Sequence, residues 1–345
     1  MKRIIATLFK ISVTLGLLYW VFTRHDISRI FEASPLWILL AIAVFILSNV
    51  IGALQWQLLM KGQGIETGFP RALNLYFIGV FFNTILPGAL GGDVVKIYSV
   101  SRVERKGREG LAATFVDRFA GFFVMSLSAI GASLTLIFWG ETVASGIQEY
   151  IVVVFLLFLV ASVILFSRRV SRVIYEVLLA RLSLMGLRDK FRECHEYFHA
   201  YRKQYALAGQ VILLSVAIQF LRIYVHYLCA RAIGFDVSLV YFLLFVPLIA
   251  LAAVVPVSFG GLGVRESTGR FLFATVASLK VIDPAGSLAV ATQLLASLVG
   301  ILVGLIGGLM FALTRHSARV EVAEALEAAI PESPAERIDS STGGS

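Results

Sequence analysis

The sequence predicts an all-α polytopic membrane protein, built as an inverted-topology repeat with two re-entrant hairpins broken by glycine and proline. Three observations predict it. The 345-residue chain is 58% hydrophobic and 15% charged, with a mean hydropathy of +0.86, against roughly 45–50% apolar and 25% charged in soluble domains. Apolar runs long enough to cross a bilayer, about 20 residues each, recur along it at 4–22, 36–60, 111–138, 150–167, 207–229 and 285–313. A short pattern, P-x3-G-G-x3-[KR], also occurs twice, in NTILPGALGGDVVKIY at 83–98 and in AAVVPVSFGGLGVRES at 252–267. An offset of 169 residues superimposes Pro87 on Pro256, Gly91 and Gly92 on Gly260 and Gly261, and Lys96 on Arg265.

The first run, MKRIIATLFKISVTLGLLYWVF, has a basic head and carries Lys10 within it, with no small-x-small cleavage site. It is therefore expected to stay as a helix rather than leave as a signal peptide. The two patterned stretches lie in broken segments, 72–99 and 238–279. Proline there lacks a donor N–H and glycine lacks a stiffening side chain, so a regular helix is interrupted. Interrupted backbone at membrane depth is tolerated where protein or water satisfies it, and paired interruptions in two halves point to a transporter binding site. The offset carries the span at 36–60 onto 205–229 and the span starting at 111 onto one starting near 280. Repeat 1 is thus expected over about 36–138 and repeat 2 over about 205–313, within a single transmembrane domain at 1–315.

Positive charge sets the orientation. Arg102, Arg105, Lys106 and Arg108 follow the first hairpin and nine Lys/Arg fall between 168 and 203, whereas 139–149 has Glu141 and Glu149 and no cation. With basic loops in the cytoplasm, the first hairpin enters and leaves from inside and the second from outside, and both termini are cytoplasmic. The formal net charge of +8 then needs no nucleic acid to explain it. Residues 168–204 place Val170, Val173, Ile174, Val177 and Leu178 on one helical face. They form either an amphipathic helix on anionic lipid at the cytoplasmic surface or a solvated linker helix. Cys194 and Cys229 fall on opposite sides and should not form a disulfide. Gly300, Gly304 and Gly308 make a small-residue ridge for helix packing. Residues 316–345 form a polar, partly disordered tail.

Ionisable groups inside a bilayer cost about 2.5–3.5 kcal/mol each on insertion scales, so each needs a partner or a task. Asp93 and Lys96 are three residues apart and suit a mutual pair; Arg118 suits Asp93, and Asp117 suits Lys96. Arg222 lies deep in its span with no carboxylate within a turn, so Glu266, Asp117 or a bound anion must neutralise it, Glu266 being the preferred partner. His226, one turn on, reads as a hydrogen-bonded packing residue. Arg265 follows a glycine-rich turn at a helix start, where free N–H groups attract anions, and Lys96 holds the equivalent place in the other half. Lys96, Arg118, Arg222 and Arg265 are therefore candidates for binding an anionic headgroup. Gly91, Gly92, Asp93, Asp117, Gly260, Gly261, Glu266 and Asn83 support them, and Asn49, Gln55, Gln219 and Gln293 are further candidates to line the cavity.

PGALGGDVVKIY, the VDR at 116–118 and PVSFGGLGVRES also resemble the lysylphosphatidylglycerol synthase transmembrane-region, or flippase-like, family. The likeness covers about residues 5–315. It implies movement of lipid between leaflets in a bacterial inner membrane, without the aminoacyl-transferring domain that synthases carry after the membrane region. Thr292 and Gln293 stand where the family leads one to expect a basic residue. The leading expectation is a translocator of an anionic phospholipid or polyprenyl-linked lipid. The alternatives are a membrane-embedded transferase and an ion-coupled transporter of a small anion. No paired carboxylates, metal-ligand spacing or dinucleotide fingerprint favours an enzyme, a metal or a cofactor.

Overall fold

A computed structural model describes residues 12–17, 19–20, 22–86, 91–141, 149, 152–153, 155–157, 160, 201, 204–254, 258–283 and 286–313. The expectations for the segment 168–200, the tail, Pro87, Pro256, Cys194 and most of the span at 150–167 lie outside the described residues. Within them the protein is all helical. After helical residues at 12–17 and 22–24 and a short 3-10 turn at Ser28–Ile30 come α1 (Pro35–Gly62), α2 (Phe69–Ile85), α3 (Gly91–Glu104), α4 (Gly107–Phe138), α5 (Tyr205–Ala232), α6 (Leu239–Val254), α7 (Val264–Phe273), α8 (Ala277–Ile282) and α9 (Ser287–Leu313).

Length and composition separate two kinds of helix. α1, α4, α5 and α9 have 28, 32, 28 and 27 residues and are apolar enough to cross a membrane. At a rise of about 1.5 Å per residue they reach roughly 40 Å or more, beyond the roughly 30 Å hydrocarbon core. α2 and α6, with 17 and 16 residues, reach only about 25 Å. The burial pattern is that of a protein solvated by lipid: Leu36, Leu134, Leu213, Phe138 and Leu309 face outward, while Asn49, Gln55, Asp93, Glu266, Thr292 and Gln293 are buried. A polar interior behind an apolar exterior suits hydrocarbon surroundings, where only protein can satisfy polar groups.

The element order recurs. α1 and α5 each have 28 residues, and each ends in the same turn. Ile65 N–H donates to the Met60 carbonyl at 3.0 Å and Phe235 N–H to the Ala230 carbonyl at 2.9 Å, with Gly64 and Gly234 both at φ 73°. Packing recurs as well. α1 lies along α5; α2 packs on α9 as α6 packs on α4, α3 on α4 as α7 on α9, and α4 on α5 as α9 on α1. Exchanging the two sets of helices leaves these pairs unchanged.

The two broken segments differ in detail from the expected equivalence. Gly91 and Gly92 are the first residues of α3, whereas Gly260, Gly261 and Gly263 have φ of 58°, 78° and 81° and precede α7. Lys96 is consequently the sixth residue of its helix and Arg265 the second of its own. Positive φ here is a steric requirement: a Cβ on Gly260 would sit 2.9 Å from the Thr84 carbonyl oxygen and one on Gly263 2.4 Å from the Leu17 side chain. The N-terminal segment thus covers the second break, and Thr14 Oγ1 accepts the Phe259 N–H at 3.1 Å.

Glycines also set how close the helices come. A Cβ on Gly92 would lie 1.8 Å from the Gly79 carbonyl oxygen, and one on Gly307 would lie 1.9 Å from that of Phe77. The ridge on α9 that meets α2 is therefore Gly304, Gly307 and Gly308. Gly300 has nothing within 4 Å of its Cβ position, which corrects its expected packing role. Gly92→Ala and Gly307→Ala should each destabilise the protein by about 1–3 kcal/mol, the cost of overpacking. Gly300→Ala should be close to neutral. Thermal melts of the three variants in detergent check this ranking.

Candidate functional site

One cavity of about 250 Å³ lies where the two sets of helices meet. Its wall includes Asn49 of α1, Tyr76 and Asn83 of α2, Lys96 of α3, Arg118 of α4, Gln219, Arg222 and His226 of α5, Arg265 of α7 and Ser297 of α9. The four cations singled out in the sequence therefore share one wall. Phe45, Phe122, Met125, Val246, Ile249 and Ile301 supply apolar lining.

The cations fall into two groups. Lys96 and Arg118 are committed to Asp93: Arg118 Nε and Nη2 donate to its two carboxylate oxygens at 2.6 and 3.1 Å, and Lys96 Nζ lies 2.8 Å from Oδ1. The Lys96 ammonium also stands 4.7 Å from the Tyr76 ring centroid and 5.2 Å from that of Trp56. Aromatic faces favour a desolvated cation, and the Lys96 side chain is only 3% exposed. The close approach of Gly79 and Gly92 brings α3 against α2, and Asn83 Oδ1 accepts the Gly92 N–H at 2.8 Å, satisfying a free donor at the start of α3.

Arg222 and Arg265 form the second group. No carboxylate among the described residues lies within 4.0 Å of either guanidinium. Arg222 Nη2 donates to the Tyr76 hydroxyl at 3.1 Å, and its Nε is buried without a partner. Gly52 makes that contact possible, because a Cβ there would come within 2.4 Å of the same hydroxyl oxygen.

Glu266 is not the partner expected for Arg222. Its Oε2 accepts the Gly263 N–H at 2.6 Å and its Oε1 accepts the Ser297 hydroxyl at 2.8 Å. Three residues after Gly263, it reaches back to cap α7 and ties that helix to α9. Asp117 does not pair with Lys96 either. Its Oδ1 accepts from Gln55 Nε2 at 2.9 Å, and Gln55 Oε1 accepts the Ser215 hydroxyl at 3.0 Å. This chain joins α4, α1 and α5 beside a small side cavity lined by Asp117, Arg118, Gln219 and Arg222.

Among the neutral candidates, Asn49, Asn83 and Gln219 reach the main cavity, Gln55 reaches the side cavity, and Gln293 reaches neither. Gln293 is buried against Gly269 instead, with both amide atoms unpartnered. His226 lines the cavity with Nδ1 buried and unpartnered, and the Gln293 amide stands beside its imidazole. Gly260 lines the cavity, and Gly261 adjoins Arg265, whose Nε is 3.1 Å from the Gly261 Cβ position. Tyr76, Trp56 and Ser297 were not singled out from the sequence. A tyrosine and a tryptophan inside apolar runs resemble ordinary lipid-facing aromatics until α3 is placed against them.

Spanning apolar helices around a buried, cation-lined cavity define a multi-pass membrane protein. The chain belongs to the family described as the lysylphosphatidylglycerol synthase TM region, which it matches over residues 7–308. It is similar to the UPF0104 membrane protein PH1989 of Pyrococcus horikoshii, at 26% identity over 90% of this chain and 96% of the relative. A second UPF0104 membrane protein, from Methanothermobacter thermautotrophicus, is 26% identical over 79% of this chain and 84% of its own length. These relatives are archaeal, so they do not bear on the expectation of a bacterial inner membrane.

Proposed function

We propose that this protein translocates an anionic lipid, an anionic phospholipid or a polyprenyl-linked lipid, between leaflets, holding the headgroup in the cavity while the apolar tail stays in the bilayer. The observation that carries the reading is the pair Arg222 and Arg265, two half-buried cations lining one cavity with no carboxylate among the described residues within 4.0 Å of either. An uncompensated charge in a bilayer is expensive, and an anionic headgroup compensates it. A volume of about 250 Å³ suits a headgroup and excludes two acyl chains. The recurring helices support an inverted repeat, and arms of about 25 Å in α2 and α6 suit hairpins that turn back within the membrane. Alternating access then follows from rocking one repeat against the other.

Reconstitution into vesicles carrying a fluorescent phosphatidylglycerol tests the function. The labelled anionic lipid should cross to the outer leaflet faster than in protein-free vesicles, and a phosphatidylcholine analogue should not. Uptake of inorganic phosphate into the vesicle lumen without lipid movement assigns the site to a small-anion transporter instead. Orientation has a separate test. Glu104→Cys should label from the cytoplasm and Ser145→Cys from outside, in a background without Cys194, because four basic residues flank the first position and none lies in 139–149. Labelling from one side removes the inverted repeat.

A further inference from the structure

We propose that His226 takes up a proton when the anion binds, so that each headgroup enters the cavity together with a proton. The inference rests on the anion-binding reading above and adds the coupling ion. His226 stands one turn after Arg222 on α5, and both line the same cavity as Arg265. Its Nδ1 is buried without a hydrogen-bond partner, as is the Nε of Arg222. Two polar atoms on one face of one helix, both turned from solvent and both unsatisfied, mark the place where a ligand completes the wall.

The charges around the imidazole fix the sign of the coupling. In the same cavity stand Arg222 on α5, Arg265 on α7, Arg118 on α4 and Lys96 on α3, with Tyr76 on α2; α1 contributes Asn49, α6 only apolar residues, and α9 Ser297. Asp93 neutralises part of the Lys96 and Arg118 charge, and Asp117 lines only the side cavity. Glu266, next to Arg265, is held by Gly263 and Ser297. With the cavity empty, two guanidinium groups without an ion-pair partner among the described residues repel a third positive charge on the imidazole. An anion held between Arg222 and Arg265 reverses that field and offers an acceptor oxygen to Nδ1–H. Imidazole titrates near pH 6.5 in water, about where a modest change in surroundings switches its charge. The proton comes from solvent, forms the Nδ1–H bond and leaves when the anion does.

Linkage is reciprocal: if the anion favours the proton, the proton favours the anion by the same factor. A proton gradient across the membrane therefore sets the direction in which the loaded cavity empties.

The test uses the purified full chain in non-ionic detergent, with dihexanoyl phosphatidylglycerol as the probe, a phosphodiester that stays singly charged between about pH 5.5 and 8. Titration calorimetry in two buffers of different ionisation enthalpy reads the protons taken up per anion. The wild type should take up a fraction of a proton that passes through a maximum in this range, and its affinity should fall with rising pH by at most about tenfold per unit. His226→Gln and His226→Asn should still bind, without the uptake and without the pH dependence, and Asp117→Asn should keep both. Binding without proton uptake at every pH overturns the proposal and leaves the headgroup reading standing. Uptake that survives in both His226 variants overturns it too, and its loss in Asp117→Asn then assigns the proton to Asp117. No binding by the wild type at any pH removes the headgroup reading and the proton coupling with it.

Discussion

Arg222→Ala and Arg265→Ala should each lower the rate of anionic-lipid translocation about tenfold or more while leaving the protein folded. Each guanidinium faces the cavity with no carboxylate among the described residues within 4.0 Å, so removing it breaks no ion pair seen among them. What it removes is a charge-assisted contact to the headgroup, worth about 1.5–3 kcal/mol, and 1.4 kcal/mol is already about tenfold in binding. Melting temperature without lipid should hold or rise, because an uncompensated buried charge destabilises the empty protein. Added phosphatidylglycerol should raise the melting temperature of the wild type more than that of either variant. Unfolded variants would instead mean that the arginines hold the helices together.

Asp93→Asn should have the opposite signature, a large loss of stability. Asp93 is paired with both Lys96 and Arg118, and it is 5% exposed. Neutralising it leaves Lys96 and Arg118 facing each other without the carboxylate that both contact, at a cost of about 3–5 kcal/mol for a broken buried pair. Lys96→Met is milder, because the Asp93–Arg118 pair survives and the methionine fills the space between Trp56 and Tyr76. Thermal denaturation of the two variants in detergent should therefore rank Asp93→Asn well below Lys96→Met. The reverse order would mean that the lysine, rather than the carboxylate, organises the cluster.

Much of this was legible in the sequence because lipid imposes coarse rules. Long apolar runs with few charges read directly as α1, α4, α5 and α9, and the rarity of charge in such runs drew attention to Asp93, Lys96, Arg118, Arg222 and Arg265. The Asp93–Arg118 contact could be anticipated because few partners exist at that depth. The role of Glu266 could not. Its capping of Gly263 depends on three glycines with positive φ ahead of α7, a local geometry that the shared Gly-Gly pattern concealed by suggesting that both breaks were alike. The same false equivalence put Lys96 at a helix start. Gln293 was misread for a simpler reason, since a buried amide on an apolar helix can face either a cavity or a neighbouring helix, and here Gly269 makes room for it. The division between paired and unpaired cations needed the distances themselves.

The central claim is that an anionic headgroup occupies the cavity between Arg222 and Arg265, and native mass spectrometry of the protein released from detergent measures it directly. The wild type should retain a phosphate-bearing lipid, identified by its mass after dissociation, and Arg222→Ala/Arg265→Ala should lose that lipid while keeping loosely bound zwitterionic lipid. Equal retention of the same anionic lipid by the wild type and the double variant would contradict the account.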